Sequence, residues 1–274
     1  MNEITETVRL IQTGIIFILG LLFGSFFNVV IYRLPLGISI VHPPSHCPNC
    51  KTRIRGVHNI PVLSYLRLGG MCSYCGYPIS IRYPVIELVT GIIFLLVYRF
   101  YFFDYYPALA GLGSFDTAVF LRFLASIVFF SVLLIVSIID LDLFIIPDSL
   151  SITGSVLFIV LTPLIFQRPA GGVILGALAG FGFYFLLWLV TGGRGVGLGD
   201  AKLMAMIGAY FGLGGVFPII FISSFIGSIA GIFLIAVRGK TRKTPVPFGP
   251  FLALASFIYF FISDLSLPEL LGLG

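Results

Sequence analysis

Eight stretches of this chain are apolar enough to cross a bilayer, at about 10–32, 85–103, 117–139, 151–167, 171–191, 201–214, 216–237 and 248–264. Hydrocarbon offers no water to backbone N–H and C=O groups, so lipid-exposed segments must close their hydrogen bonds as helices or as sealed barrels. Runs near 20 residues suit a helix, because about 20 residues at 1.5 Å each span a core about 30 Å thick. The run at 201–214 is short, which predicts tilt or shielding by neighbouring helices. Only 10% of the residues are charged, against about 25% in a soluble domain. The expected fold is therefore an all-α polytopic membrane protein with about eight transmembrane helices. No cleavable signal peptide is expected, since Asn2 to Arg9 includes two acids and the apolar run behind it reads as a full span.

The net charge of +5 is not a nucleic-acid signal, because the basic residues are dispersed among the connections. With eight spans the connections alternate sides. One side collects Arg33, Lys51, Arg53, Arg55, Arg67, Arg82, Arg194, Lys202, Arg238, Lys240, Arg242 and Lys243, which is 12 of the 16 Lys and Arg. The other side, with both termini, has Arg9, Arg99, Arg122 and Arg168. The positive-inside rule makes the first side cytoplasmic.

Residues 35–84 differ in kind. They are polar, contain no Asp or Glu, and hold all four cysteines and all three histidines. Cys47-Pro-Asn-Cys50 and Cys72-Ser-Tyr-Cys75, with 21 residues between them, have the spacing of a zinc ribbon. Four thiolates close a tetrahedral shell, so zinc there would staple a small cytoplasmic domain and leave no position for a catalytic water. Disulfides are the competing reading, disfavoured in a reducing compartment. His42, His46 and His58 read as loop or outer-shell residues.

Acids are scarce, with 11 Asp and Glu in 274 residues, yet Asp140, Asp142 and Asp148 share the stretch VSIIDLDLFIIPDSL. A carboxylate at mid-membrane costs about 2.5–3.5 kcal/mol on insertion scales. Asp200 ends a second unusual stretch, RGVGLGD, whose Gly195, Gly197 and Gly199 permit close backbone approach or positive φ. A phosphate-binding loop is a poor match, since GVGLG lacks the Lys-Ser/Thr of such loops. If Asp140 meets Asp200, one carboxyl holds a proton while the other acts as base, a pair able to activate water and protonate an amine. The alternative is that these acids cap helices or balance Arg194 and Lys202. Asp142 reads as a solvated neighbour, and Asp148, after Pro147, as an N-cap.

Several stretches together resemble the prepilin leader peptidases of type IV pilus and type II secretion systems. They are GSFFNVVIYRLP, CPNC, HNIPVLSYLRLGGMCSYCGYPISIRYPVIEL, IDLDLFIIPD, GVGLGDAKLMAMIGAYFG and PFGPFLAL, in family order over nearly the whole chain. The resemblance implies a bacterial inner-membrane aspartic protease that cleaves the leader of prepilins and pseudopilins at the cytoplasmic face, with Asp140 and Asp200 as catalytic acids. Gly197, Gly199 and Asp148 would support them. Members with all four cysteines are usually bifunctional, which implies N-methylation of the new terminus with S-adenosylmethionine, for which no residues are assigned. Glu87 is a candidate for holding the substrate amine. The expected division is a first helix at 1–34, a cysteine domain at 35–84 and a seven-helix peptidase domain at 85–274. The expected partners are substrates and membrane lipid, with no nucleic acid. A peptidase with a purely structural zinc domain is one alternative, and a proton- or ion-coupled transporter is another, although transport sites favour the bilayer midplane.

Overall fold

A computed structural model describes residues 3–104, 116–238 and 246–263. Every regular element among them is helical. Besides a 3-10 turn at Gly56–His58 and a π turn at Phe100–Asp104, the α-helices in chain order are α1 (Glu3–Arg33), α2 (Leu63–Arg67), α3 (Arg82–Arg99), α4 (Thr117–Leu143), α5 (Asp148–Phe166), α6 (Ala170–Thr191), α7 (Leu198–Phe211), α8 (Leu213–Arg238) and α9 (Gly249–Ile262). Lys240, Arg242 and Lys243, counted above for topology, lie outside the described residues. The chain forms two compact units, Met1–Ile127 and Val128–Gly274, with α4 running from one into the other.

Among the described residues, six helices (α1, α3, α4, α5, α6 and α8) are long and apolar enough to cross a membrane. α7 and α9 have 14 residues each, about 21 Å at 1.5 Å per residue.

In the first unit α1 and α3 pack antiparallel, and small residues set the register. A Cβ on Gly20 would lie 2.7 Å from the Cα of Gly91, and one on Gly24 would lie 2.7 Å from the Cα of Glu87. One turn further, Asn28 donates from Nδ2 to the Gly24 and Tyr83 carbonyls, both at 3.2 Å. The motif GSFFN thus places a small residue where backbones touch and an amide where a carbonyl needs a partner, as closely packed membrane helices require. At the other end Tyr98 donates to Gln12 Oε1 at 3.0 Å.

The second unit is built around α7. Ala201, Leu203, Met204, Met206, Ile207 and Ala209 are all fully buried. This helix faces protein rather than lipid, which explains how so short a segment is tolerated. α6 meets it along glycines. A Cβ on Gly176 would fall 2.5 Å from the Gly208 carbonyl oxygen, and one on Gly180 would fall 2.5 Å from that of Met204. On another side, Gly154 of α5 faces Met206. The C-terminal carbonyls of α7 have no partners within the helix. Arg168, in the α5–α6 connection, donates to two of them, those of Tyr210 and Phe211. Tyr210 stacks on Phe129 of α4 with ring centroids 3.9 Å apart and planes within 8°.

Because backbone atoms of Gly176 stand 2.1 Å from where a Gly208 Cβ would be, Gly208→Ala is expected to separate α6 from α7. An overpacking cost of about 1–3 kcal/mol should appear as a lowered midpoint in thermal or denaturant unfolding of the detergent-solubilised protein.

Candidate active site and metal centre

Asp140 lies in the last turn of α4 and is 5% exposed; Asp200 is the third residue of α7 and is 7% exposed. Each is held the same way. Asp140 Oδ2 accepts the backbone N–H of Gly249, the first residue of α9, at 2.9 Å. Asp200 Oδ2 accepts the N–H of Gly197, which caps α7, at 2.9 Å. The first N–H groups of a helix lack partners within it and carry the positive end of its dipole, so both carboxylates occupy positions suited to negative charge. The Asp200 bond is half of a capping box, with an acid at the third helical position reaching back to the cap. The remaining oxygen of each aspartate makes no hydrogen bond among the described residues. The two carboxylates lie within electrostatic range of each other.

Two glycines enforce this arrangement. A Cβ on Gly249 would sit 2.8 Å from Asp140 Oδ2, so only glycine lets that N–H reach the carboxylate. A Cβ on Gly199 would sit 2.9 Å from the Cβ of Ile146, so the start of α7 rests directly against the α4–α5 connection that follows Asp140. Close approach is the role of Gly199. Positive φ is not used at Gly195, Gly197 or Gly199; it occurs at Gly192 and Gly193, where α6 ends. Nothing in the sequence alone assigned a role to Gly249, although the Pro-Phe-Gly-Pro around it was a visible helix-start signal.

The expectations for neighbouring acids divide. Asp142 is exposed. Asp148 does not cap α5: the cap is Pro147, and Asp148 is the first helical residue. Its Oδ1 instead accepts from Lys202 Nζ at 2.7 Å, tying the start of α5 to α7. Lys202 is therefore committed to Asp148 rather than to Asp200. Glu87, buried in α3, accepts the Val62 N–H at Oε2 at 2.7 Å. Val62 has φ 59°, a conformation a β-branched residue adopts only under constraint. Glu87 thus pins the segment between α1 and α3 to its helix.

That segment carries the cysteines on two loops of one design. The Cys47 N–H bonds to the Thr52 carbonyl and the Lys51 N–H to the Cys47 carbonyl; the Cys72 N–H bonds to Tyr77 and the Gly76 N–H to Cys72. The residue after each CxxC, Lys51 or Gly76, takes positive φ. Single antiparallel bridges close the loops, His46 with Arg53 and Met71 with Pro78. The result places four sulfurs within 4.8 Å of one another. Cys47 and Cys75 Sγ are 3.8 Å apart, too far for a disulfide of about 2.05 Å and equal to the edge of a tetrahedron with bonds of about 2.3 Å, as in zinc–thiolate sites. Hydrogen bonding by the side chain and backbone of Thr52 lowers the Cys50 thiol to about 6, and the backbone N–H groups of Tyr74 and Cys75 lower Cys72. Thiolates are the form that binds metal, and it is the spacing of the four sulfurs that fits an ion such as zinc. No histidine joins this cluster. His46 Nδ1 lies 3.1 Å from the Pro44 carbonyl, and His58 Nδ1 lies 3.0 Å from Ser73 Oγ.

Residues 18–101 match the Bacterial Peptidase A24 N-terminal domain, and residues 127–232 match the Type IV leader peptidase family. A protein of Aeromonas salmonicida named prepilin leader peptidase/N-methyltransferase is 33% identical over 291 residues, covering 93% of this chain and 92% of its own. Proteins of the same name from Xanthomonas campestris and Neisseria gonorrhoeae are each 36% identical, covering 89% and 90% of this chain and 88% and 89% of their own. The chain belongs to the type IV leader peptidase family. No solved structure matches it. The two family matches divide the candidate centres: the N-terminal one contains all four cysteines, and the other contains Asp140 and Asp200 but ends before Gly249.

Elemental analysis of the purified protein is expected to give one zinc per chain. Cys50→Ser should lower that stoichiometry and the melting temperature together, as loss of a structural zinc ligand does.

Proposed function

We propose that this chain is a membrane aspartic endopeptidase that removes the leader of prepilins and pseudopilins, with Asp140 and Asp200 as its catalytic pair. The observation that carries the reading is the matched setting of these two carboxylates. Each is buried in an end turn of a helix, each is fixed through Oδ2 by a backbone N–H at a helix start, and the charge of Asp140 reaches Asp200. Family membership supplies the reaction class, and the names of the relatives supply the substrate.

The chemistry follows from the pair. Two neighbouring carboxylates in an apolar setting share a proton, because the second ionisation is opposed by the first. The ionised partner takes a proton from water as the oxygen attacks the scissile carbonyl carbon. The protonated partner gives its proton to the amide nitrogen as the C–N bond breaks. Oδ2 of each acid is occupied by a backbone donor, so Oδ1 is the atom left to handle protons. Gly249 and Gly197 hold the acids in place. Gly199 and the Asp148–Lys202 pair fix the start of α7 against the α4–α5 connection and the start of α5. The charge count favours a cytoplasmic location for this end of the helices.

The four-cysteine segment would hold structural zinc through Cys47, Cys50, Cys72 and Cys75. The relatives' shared name supports a second activity, N-methylation of the newly exposed terminus, with S-adenosylmethionine as donor. The division into a first helix (1–34), a cysteine domain (35–84) and a membrane peptidase domain (85–274) belongs to the same reading.

Reconstitution with a prepilin tests the pair. Asp140→Asn and Asp200→Asn are each expected to abolish cleavage while the melting temperature is retained; full activity in either overturns the assignment. Gly249→Ala should reduce cleavage strongly, because its methyl group would displace Asp140 Oδ2. Methyl transfer to a pre-cleaved pilin should persist in the aspartate variants and be lost in Cys50→Ser. Cleavage by the unmodified protein without any methyl transfer would restrict the function to peptide hydrolysis.

A further inference from the structure

α6 carries a polar group that the aspartate pair does not use. Tyr184 is 2% exposed, and its hydroxyl is buried without a hydrogen-bond partner among the described residues. The Ser223 hydroxyl is its polar neighbour; it donates to the Ile220 carbonyl at 3.0 Å and could still accept from the phenol, but the two hydroxyls do not meet in hydrogen-bond geometry. Buried hydroxyls are ordinarily satisfied, and one that is not calls for an explanation.

The helix register says where this hydroxyl belongs. α6 and α7 run antiparallel, with Gly176 against Gly208 and Gly180, four residues on, against Met204, four residues back. One more turn along each helix sets Tyr184 opposite Asp200. The charge of Asp200 is felt at the phenol. On another side the Tyr184 ring packs against Phe248, with centroids 5.9 Å apart. Phe248 caps α9 and immediately precedes Gly249, the donor to Asp140. The Tyr184 ring therefore packs on the residue next to the donor of one aspartate, and the helix register sets it opposite the other.

We infer that Tyr184 is a further catalytic residue, whose hydroxyl donates a hydrogen bond to the scissile carbonyl oxygen as that oxygen becomes an oxyanion. This rests on the aspartate-pair reading above. In that step water oxygen bonds to the carbonyl carbon, the C=O π pair moves onto oxygen, and the base carboxylate takes the water proton. The tyrosine keeps its own proton and stabilises the new charge. Collapse restores C=O and expels the amine, protonated by the other carboxyl. A carboxyl proton can also reach this oxygen, but both carboxyls pass protons between water and nitrogen during the step, whereas the phenol keeps its proton and can hold the developing charge throughout. A pre-placed donor aimed at developing charge in a water-poor site is the usual remedy.

Tyr184→Phe removes the hydroxyl and keeps the ring that packs on Phe248. The expected result with a reconstituted prepilin is a fall in kcat on the order of 10²-fold, the scale for losing one such donor, with KM little changed. Binding of a difluoroketone peptide, which hydrates to a tetrahedral diol, should weaken by the same factor as kcat/KM, and the melting temperature should hold. Unchanged kcat overturns the inference, as does a loss confined to KM or stability. Ser223→Ala provides the comparison: an equal loss of kcat there would make the hydroxyl a structural partner of Ser223 and also overturn it. Asp140→Asn and Asp200→Asn in the same assay separate the two readings. If they are inactive while Tyr184→Phe is fully active, only this inference fails; if they are active, the aspartate pair itself is wrong.

Discussion

Negative charge in an apolar setting needs a donor that is already in place, and in this protein the donors are the starts of helices. The α9 N–H at Gly249 holds Asp140, and the α7 cap at Gly197 holds Asp200. A helix start offers unpaired N–H groups and a favourable dipole without adding a cation. Under the proposed pairing of the two acids that matters, because a nearby Lys or Arg would keep both ionised and prevent them from sharing a proton. The basic residue closest in sequence, Lys202, is taken up by Asp148. The packing of the second unit can be read as the means of bringing two helix starts to two carboxylates.

That purpose gives the short, buried α7 its logic. A helix that carries an acid in its first turn cannot present that end to lipid. It must be surrounded, and it must have its far end satisfied as well. Glycines on α5 and α6 let the neighbours close on it, and Arg168 answers its last carbonyls. Apolar packing alone provides little preference between helices in a bilayer, since lipid tails are as apolar as leucine. Backbone contact at Gly176, Gly180 and Gly208 is stiffer than side-chain contact and fixes register to a single turn. Register is what decides which α6 residue stands opposite Asp200.

The helical architecture was legible in the sequence because apolar runs of bilayer length admit few alternatives. The cysteine cluster was legible because two CxxC pairs imply two similar loops, and their hydrogen bonds do repeat position for position. Asp140 and Asp200 stood out by the cost of placing acids in apolar surroundings, and the structure brings them within range of each other. What holds them was not legible. Gly249 is 109 residues from Asp140, and a backbone donor leaves no mark in side-chain chemistry. Asp148 misled for a related reason. Pro-Asp before an apolar run is a fair capping signal, but α5 begins one residue early and the acid is diverted to Lys202. Local rules describe what a residue does when nothing distant competes for it.

The same reasoning separates the glycines of GVGLG, which look equivalent as letters. Gly199 is constrained by Ile146, which leaves no room for a Cβ. Gly197 has an extended backbone at φ −85° and a Cβ there would make only ordinary contact with Asp200 Oδ2 at 3.4 Å. Its N–H, not its lack of a side chain, is what the carboxylate uses, and any residue but proline supplies that N–H. The glycine needed beside Asp200 is the one that lets α7 begin against the α4–α5 connection; the glycine needed beside Asp140 is the one whose own N–H must come within reach. Close approach of backbones serves both acids, in one case by seating a helix and in the other by delivering the donor itself.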